Sequence, residues 1–141
     1  MKDILKAVFT KLIADTTLKT LLGYTSSNKN IRSFEGLKQY KFDKYLLFGK
    51  LTAEQFDTEL DTSDVRKYTM QIQSFDRKND INVDDINERV IDILHNTTLS
   101  ESGSMKSLLC EWERSLPTFY DNELSFYVKL SYYNLIITKL N

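Results

Sequence analysis

Val65-Arg66-Lys67-Tyr68-Thr69-Met70-Gln71-Ile72-Gln73-Ser74-Phe75 places Tyr68, Met70 and Ile72 on one side of an extended chain and Thr69, Gln71 and Gln73 on the other. Alternation of this kind marks a strand with one buried and one wet face. In the stretch that follows, Val83-Asp84-Asp85-Ile86-Asn87-Glu88-Arg89-Val90-Ile91-Asp92-Ile93-Leu94-His95, the period changes. Val83, Ile86, Val90, Ile93 and Leu94 gather on one side of a helix with about 3.6 residues per turn. A strand that needs cover is thus followed by a helix able to cover it. The polar run Asp76-Arg77-Lys78-Asn79-Asp80 is the loop between them, with Asn82 expected to cap the helix and Asp84 and Asp85 to complement its dipole.

Towards the N-terminus, Ile4, Val8 and Leu12 form one i, i+4 row and Leu5, Phe9 and Ile13 the adjacent one, which predicts a helix with a broad apolar stripe. Asp15 is placed to cap a second short helix carrying Leu18, Leu21 and Leu22, and Gly23 suits its left-handed C-terminal position. Tyr24 to Lys44 reads as a long basic connection in which only Ile31-Arg32-Ser33-Phe34 alternates enough for an edge strand. Tyr45 to Leu51 is apolar on both faces, as a central strand requires, and Gly49 marks a bulge or a close approach. Thr52 to Asp64 carries five acids and no base, which predicts a loop or projecting hairpin.

Beyond the helix, Asn96 to Lys106 reads as a surface connection and Leu108 to Glu113 as a strand. Pro117 and Asp121-Asn122 break the chain before a long final strand. There Leu124, Phe126, Val128, Leu130 and Tyr132 share one face, with Val128 expected towards the helices, while Ser125, Lys129 and Ser131 share the other. The order of elements argues for a single α+β domain over residues 1–141, a mostly antiparallel sheet with helices packed on one face.

The 141 residues include 19 Lys plus Arg against 20 Asp plus Glu, so no overall basic field gathers nucleic acid. One cysteine excludes an internal disulfide, and no apolar run approaches the roughly 20 residues of a membrane span. The N-terminus lacks the apolar core of a signal peptide, so a cytoplasmic site of synthesis is expected and the sequon Asn96-Thr97-Thr98 is read as accidental.

Candidate chemistry is thin. Cys110 and His95, alone of their types, would have to supply both nucleophile and base. Yet Cys110 alternates with Leu108 and Trp112 on an inward face, and His95 sits at a helix C-terminus. A nitrogen or sulfur metal site lacks ligands, and the acidic loop lacks the glycine and ligand order of an EF-hand. Asp84 and Asp85 are adjacent on a helix and point apart, which suits no carboxylate pair. Four scattered glycines build no phosphate-cradling loop. Tyr127, Lys129 and Tyr133 share a face that could stack single-stranded nucleic acid, although aromatics on the solvent side of a strand are more often a protein contact. No catalytic activity and no cofactor is expected.

Over nearly its whole length the chain resembles the tail-completion or tail-terminator proteins of long-tailed phages, which include the tail-to-head joining proteins. The resemblance is carried by Met1-Lys2-Asp3-Ile4-Leu5-Lys6-Ala7-Val8, by the turn Ala14-Asp15-Thr16-Thr17-Leu18-Lys19-Thr20-Leu21-Leu22-Gly23, by the strand and helix quoted first, and by the long final strand. Family members often have a proline-containing segment before the second strand, and Phe34 to Tyr45 has none. The resemblance implies a non-enzymatic virion protein of the tail or neck. It would form a ring, typically a hexamer, that ends tail-tube polymerisation and meets the tail tube protein and the head connector or stopper protein. DNA would only pass through the lumen, and no membrane is involved. Another neck or minor virion protein, or a small-ligand-binding α+β domain, is the alternative.

Within such a ring, charge segregation suggests an interface. The acidic Glu54, Asp57, Glu59 and Asp61 of one subunit are expected at the subunit boundary or the lumen, facing basic residues such as Lys29, Arg32, Lys38 and Lys41 of the next.

Overall fold

The computed structural model describes residues 2–34, 42–54, 65–99 and 105–139. Helix α1 spans Lys2–Ile13 and turns at once into α2, Thr16–Leu22. Asp15 caps α2 by accepting from the Leu18 N–H at 2.7 Å, and Gly23 ends it in the left-handed conformation at φ 67°. Both roles follow from local sequence, because a carboxylate satisfies an orphan N–H and glycine carries no Cβ to clash. Strand β1 is Ile31–Ser33, β2 is Lys44–Glu54 and β3 is Val65–Asp76. Helix α3, Asp80–Leu94, precedes β4 (Thr97–Leu99), β5 (Met105–Ser115), β6 (Phe119–Asp121) and β7 (Phe126–Lys139).

Among the described residues the strands form one sheet in the order β1-β2-β3-β7-β5-β4, with β6 also paired to β7. Every pairing is antiparallel except that of β1 with β2. The three helices lie on one face, so the α+β architecture expected from the sequence is the one observed. Val8 and Leu12 of α1, Leu18 and Leu22 of α2, and Ile86, Val90 and Leu94 of α3 are all at 0% exposure. They pack on Leu46, Phe48, Met70, Ile72 and Leu135 of the sheet. Burying each such side chain contributes about 1.5 to 3 kcal/mol relative to leaving it exposed.

The other face is not simply wet. Tyr45, Leu47, Phe75, Phe126 and Val128 form a second, smaller cluster there, with the Tyr45 and Phe75 rings stacked at 4.3 Å and Phe126 edge-on to both. This corrects the reading of β7. Register pairs Met70 with Tyr133, Ile72 with Ser131 and Phe75 with Val128, so the odd-numbered residues of β7 face the helices and Val128 faces away. Alternation correctly separates the two sets but cannot say which one the helices cover, since both faces are apolar along part of the strand. On the helix side Ser131 joins Asn87 and Ser115 in a buried hydrogen-bonded group, which explains how a polar residue occupies a core position.

Smaller corrections follow from pairing and capping. Thr97–Leu99, expected as surface connection, forms the edge strand β4 on β5. The short β6 fills the break before β7. Asn79, not Asn82, caps α3, accepting from the N–H groups of Ile81 and Asn82. Asp76 sets up this start by accepting from the N–H groups of Lys78 and Asn79, and the Asn82 amide donates to its second oxygen at 2.7 Å. The cap therefore falls three residues earlier than expected, because an acid at the strand end folds the loop onto itself.

Candidate subunit interface

Asn30, fully buried, locks the start of β1 in place. Its side-chain amide donates to the carbonyls of Leu22 and Lys44, at 2.6 and 2.9 Å, tying the end of α2 and the start of β2 to the edge strand. The neighbouring Lys29 and Arg32 are exposed. Arg32 Nε donates to the Lys29 carbonyl at 2.9 Å, and its guanidinium lies 5.9 Å from the centre of the Phe42 ring. Between α1 and β1 runs an open groove of roughly 370 Å³, floored by Leu5, Phe9, Ile31 and Phe48 and rimmed by Lys6, Lys29 and Arg32. Gly49 lies beside Leu5 at φ 132°, with Leu5 and Phe34 packed where a side chain would begin. The β2–β3 register shifts between Gly49 and Thr52, so the bulge and the close approach expected there are both present.

Of the residues expected at an interface, only Lys29 and Arg32 are brought together. Glu54 ends β2, its backbone opposite Lys67 of β3. Asp57, Glu59, Asp61, Lys38 and Lys41 lie outside the described residues. The groove was not anticipated from the sequence. Its signal was the second apolar row Leu5, Phe9, Ile13, broader than one buried face needs, and that row is half-buried.

The catalytic candidates do not combine. Cys110 is fully buried, and burial pushes its thiol up to about 12, the opposite of an activated nucleophile. His95 is exposed at the end of α3, where Nδ1 accepts the Trp112 N–H at 2.9 Å. Asp84 accepts from the Thr118 hydroxyl at 2.6 Å and pairs with Lys129 at 3.1 Å. The Thr118 bond first, and Lys129 second, hold its carboxyl below the usual range against the opposing effect of burial. Asp85 makes no such contacts among the described residues. Tyr133 is at 0% exposure, so the face it shares with Tyr127 and Lys129 offers no stacking platform. No group of three or more His, Cys, Asp or Glu among the described residues is placed to hold a metal.

The fold is shared with a virion chain. That chain comes from the virion of a native gene transfer agent particle, and the two agree with a TM-score of 0.71 over 94% of this chain and 92% of the other, at 13% identity. Agreement over both nearly complete chains at so low an identity is agreement of fold. No protein-family model matches the sequence, and no curated protein matches it.

Proposed function

We propose that this protein is a structural virion subunit. It forms a closed ring, a hexamer by its resemblance to tail terminators, at the head-proximal end of a phage tail tube. There it ends tube polymerisation and joins the tail to the head connector or stopper protein, with DNA passing through the lumen. The observation that carries this reading is the fold shared with a virion chain along nearly the whole length of both, in agreement with the family resemblance of the sequence. The buried thiol of Cys110 and the dispersed titratable groups favour a scaffold over an enzyme.

Two surfaces suit the two kinds of contact a ring subunit needs. The charged edge around Lys29 and Arg32, with the acidic segment that includes Glu54, Asp57, Glu59 and Asp61, serves the boundary between copies or the lumen. Ile81, Phe119, Tyr120 and Leu124 are large, apolar and exposed. They gather at one end of the sheet, because β6 pairs with the start of β7 and Thr118 bonds to α3 through Asp84. An apolar end suits stacking on the tail tube or the connector.

Deleting the gene from its phage tests the role. Tails of uncontrolled length, unattached to heads and rescued by the added protein, are expected; attached tails of normal length would overturn it. Native mass spectrometry of the isolated protein should show a closed oligomer, and a monomer at every concentration would remove the ring.

A further inference from the structure

We infer that the apolar end of the sheet docks a basic protein surface, one with an apolar centre and a rim of Lys or Arg, on another component of the virion. The inference rests on the virion role proposed above and names the chemistry of the partner met at this end. Ile81, Phe119, Tyr120 and Leu124 are between 45% and 66% exposed. At about 200 Å² for each large apolar side chain, half-exposed, they leave an apolar patch on the order of 400 Å² in water. A patch of that size is as large as the biggest on an ordinary monomer. It would supply about half of the roughly 800 Å² that one partner buries in a standard interface. The face is also held in place before any partner arrives. Asp121 Oδ1 accepts from the N–H groups of Glu123 and Leu124 at 3.0 and 3.1 Å, and the Ser125 N–H donates to the Asp121 carbonyl at 2.8 Å. The Tyr120 and Tyr127 rings meet edge to face at 5.0 Å, and the Thr118 bond to Asp84 ties this hairpin to the helix that carries Ile81. A surface fixed in this way loses little freedom on binding.

Charge selects the partner. Ile81, Asp85 and Glu88 follow one another at i, i+4 and i+7, so the acids continue from the apolar patch along the solvent side of α3. In the hairpin, Glu123 adjoins Leu124. Local structure accounts for Asp80, in the first turn of α3, and for Asp121, whose carboxylate closes the hairpin turn. It does not account for Asp85, Glu88 and Glu123, which are exposed and whose side chains make no hydrogen bond or ion pair among the described residues. Of the bases near them, Lys129 pairs with Asp84 and Arg77 with Asp43, so even with the exposed Lys78 this end stays acidic. An acidic rim repels DNA and anionic lipid, and two copies meeting through this end would set acid against acid. A basic rim on a different protein satisfies all three free carboxylates. Charge then sets orientation and partner choice while the apolar centre supplies the burial.

The test offers the full-length protein to tail tubes and, separately, to heads, both purified from phage that lack the gene, and reads binding by co-sedimentation. Tyr120→Ser with Leu124→Ser removes the apolar centre, and Asp85→Lys with Glu88→Lys reverses the rim. All four side chains are exposed, so both proteins should melt close to the wild type, which is measured first. Each should bind tubes or heads about tenfold more weakly than the wild type or worse, with the oligomer seen by native mass spectrometry unchanged. Asp85→Asn with Glu88→Gln keeps the shape and removes the charge, and its binding should lie between the wild type and the reversed protein. Undiminished binding of both double variants to tubes and to heads would overturn the inference. So would a loss confined to the apolar pair, which would leave the rim without a role, or tighter binding of the reversed protein, which would make the partner surface acidic. A folded Tyr120→Ser, Leu124→Ser protein whose oligomer falls apart would overturn it in favour of a contact between copies. A wild-type protein that binds neither tubes nor heads would overturn the virion role itself.

Discussion

At the scale of single residues, Asp15 joins two levels of structure. It caps α2 and receives a two-pronged contact from Arg89 of α3, Nη2 to Oδ1 at 2.6 Å and Nε to Oδ2 at 2.9 Å. The Arg89 hydrogen bonds first, then the Leu18 N–H and the Arg89 charge, hold its carboxyl below the usual range against the cost of burial. Asparagine would keep the cap and lose the charge, so Asp15→Asn should cost about 1 to 2 kcal/mol at neutral pH. A carboxyl depressed in the folded state stabilises above its unfolded pKa of about 3.9, and that contribution disappears as pH falls through the folded value. The difference in melting temperature between the two proteins should therefore be constant above about pH 5 and shrink below about pH 3.9. A difference that persists at lower pH would assign the effect to packing. Cys110 makes a second test. With its thiol buried and pushed up to about 12, it should react with a disulfide reagent at neutral pH only as fast as the protein unfolds, and a fast reaction in native buffer would contradict its placement.

At the scale of elements, the sheet carries two cores, and the strand faces decide what each mutation does. Ile72 lies beneath the helices and Val128 in the small cluster on the opposite face. Ile72→Ala should cost about 2 to 5 kcal/mol by denaturant unfolding. Val128→Ala loses two buried carbons, about 1.6 kcal/mol before any cavity cost. Because the sheet separates them, the double mutant should be additive within about 0.5 kcal/mol. Phe75→Leu with Val128→Ala, which share a cluster, should depart from additivity by more. Equal coupling in both pairs would mean the faces are wrongly assigned. Gly49 tests the bulge. At φ 132° an added Cβ meets nothing closer than 3.6 Å, so Gly49→Ala should destabilise by about 1 to 3 kcal/mol through backbone strain and not through a clash.

At the scale of the whole molecule, a nearly neutral chain separates its charges along the sequence, acids between β2 and β3 and bases around β1. Attraction between such surfaces is screened over about 10 Å at 0.1 M salt and about 3 Å at 1 M. Assembly of the proposed ring should weaken as salt rises over that range while the melting temperature of the subunit changes little, as sedimentation and calorimetry at matched salt would report. Assembly indifferent to salt would assign the boundary to apolar contacts alone.

The sequence by itself determined the features that neighbouring residues decide. These are α1 with its two apolar rows, the Asp15 cap and Gly23 stop of α2, the strand and helix from Val65 to Leu94, and the bulge at Gly49. Periodicity, caps and left-handed glycines act over one or two turns, so they are written locally. The α+β class also follows, because a one-sided strand beside an amphipathic helix has few other ways to hide its apolar face. Only the tertiary structure decided which face of β7 the helices cover, that β1 runs parallel to β2, that Thr97–Leu99 completes an edge, and that Leu5, Phe9 and Phe48 floor a groove. Each of these depends on partners distant in sequence. Alternation in β7 is apolar on both sides along part of its length, and a groove exists only once α1 and β1 have been brought together, so the pairing energy of the assembled sheet settles what the local pattern leaves equal.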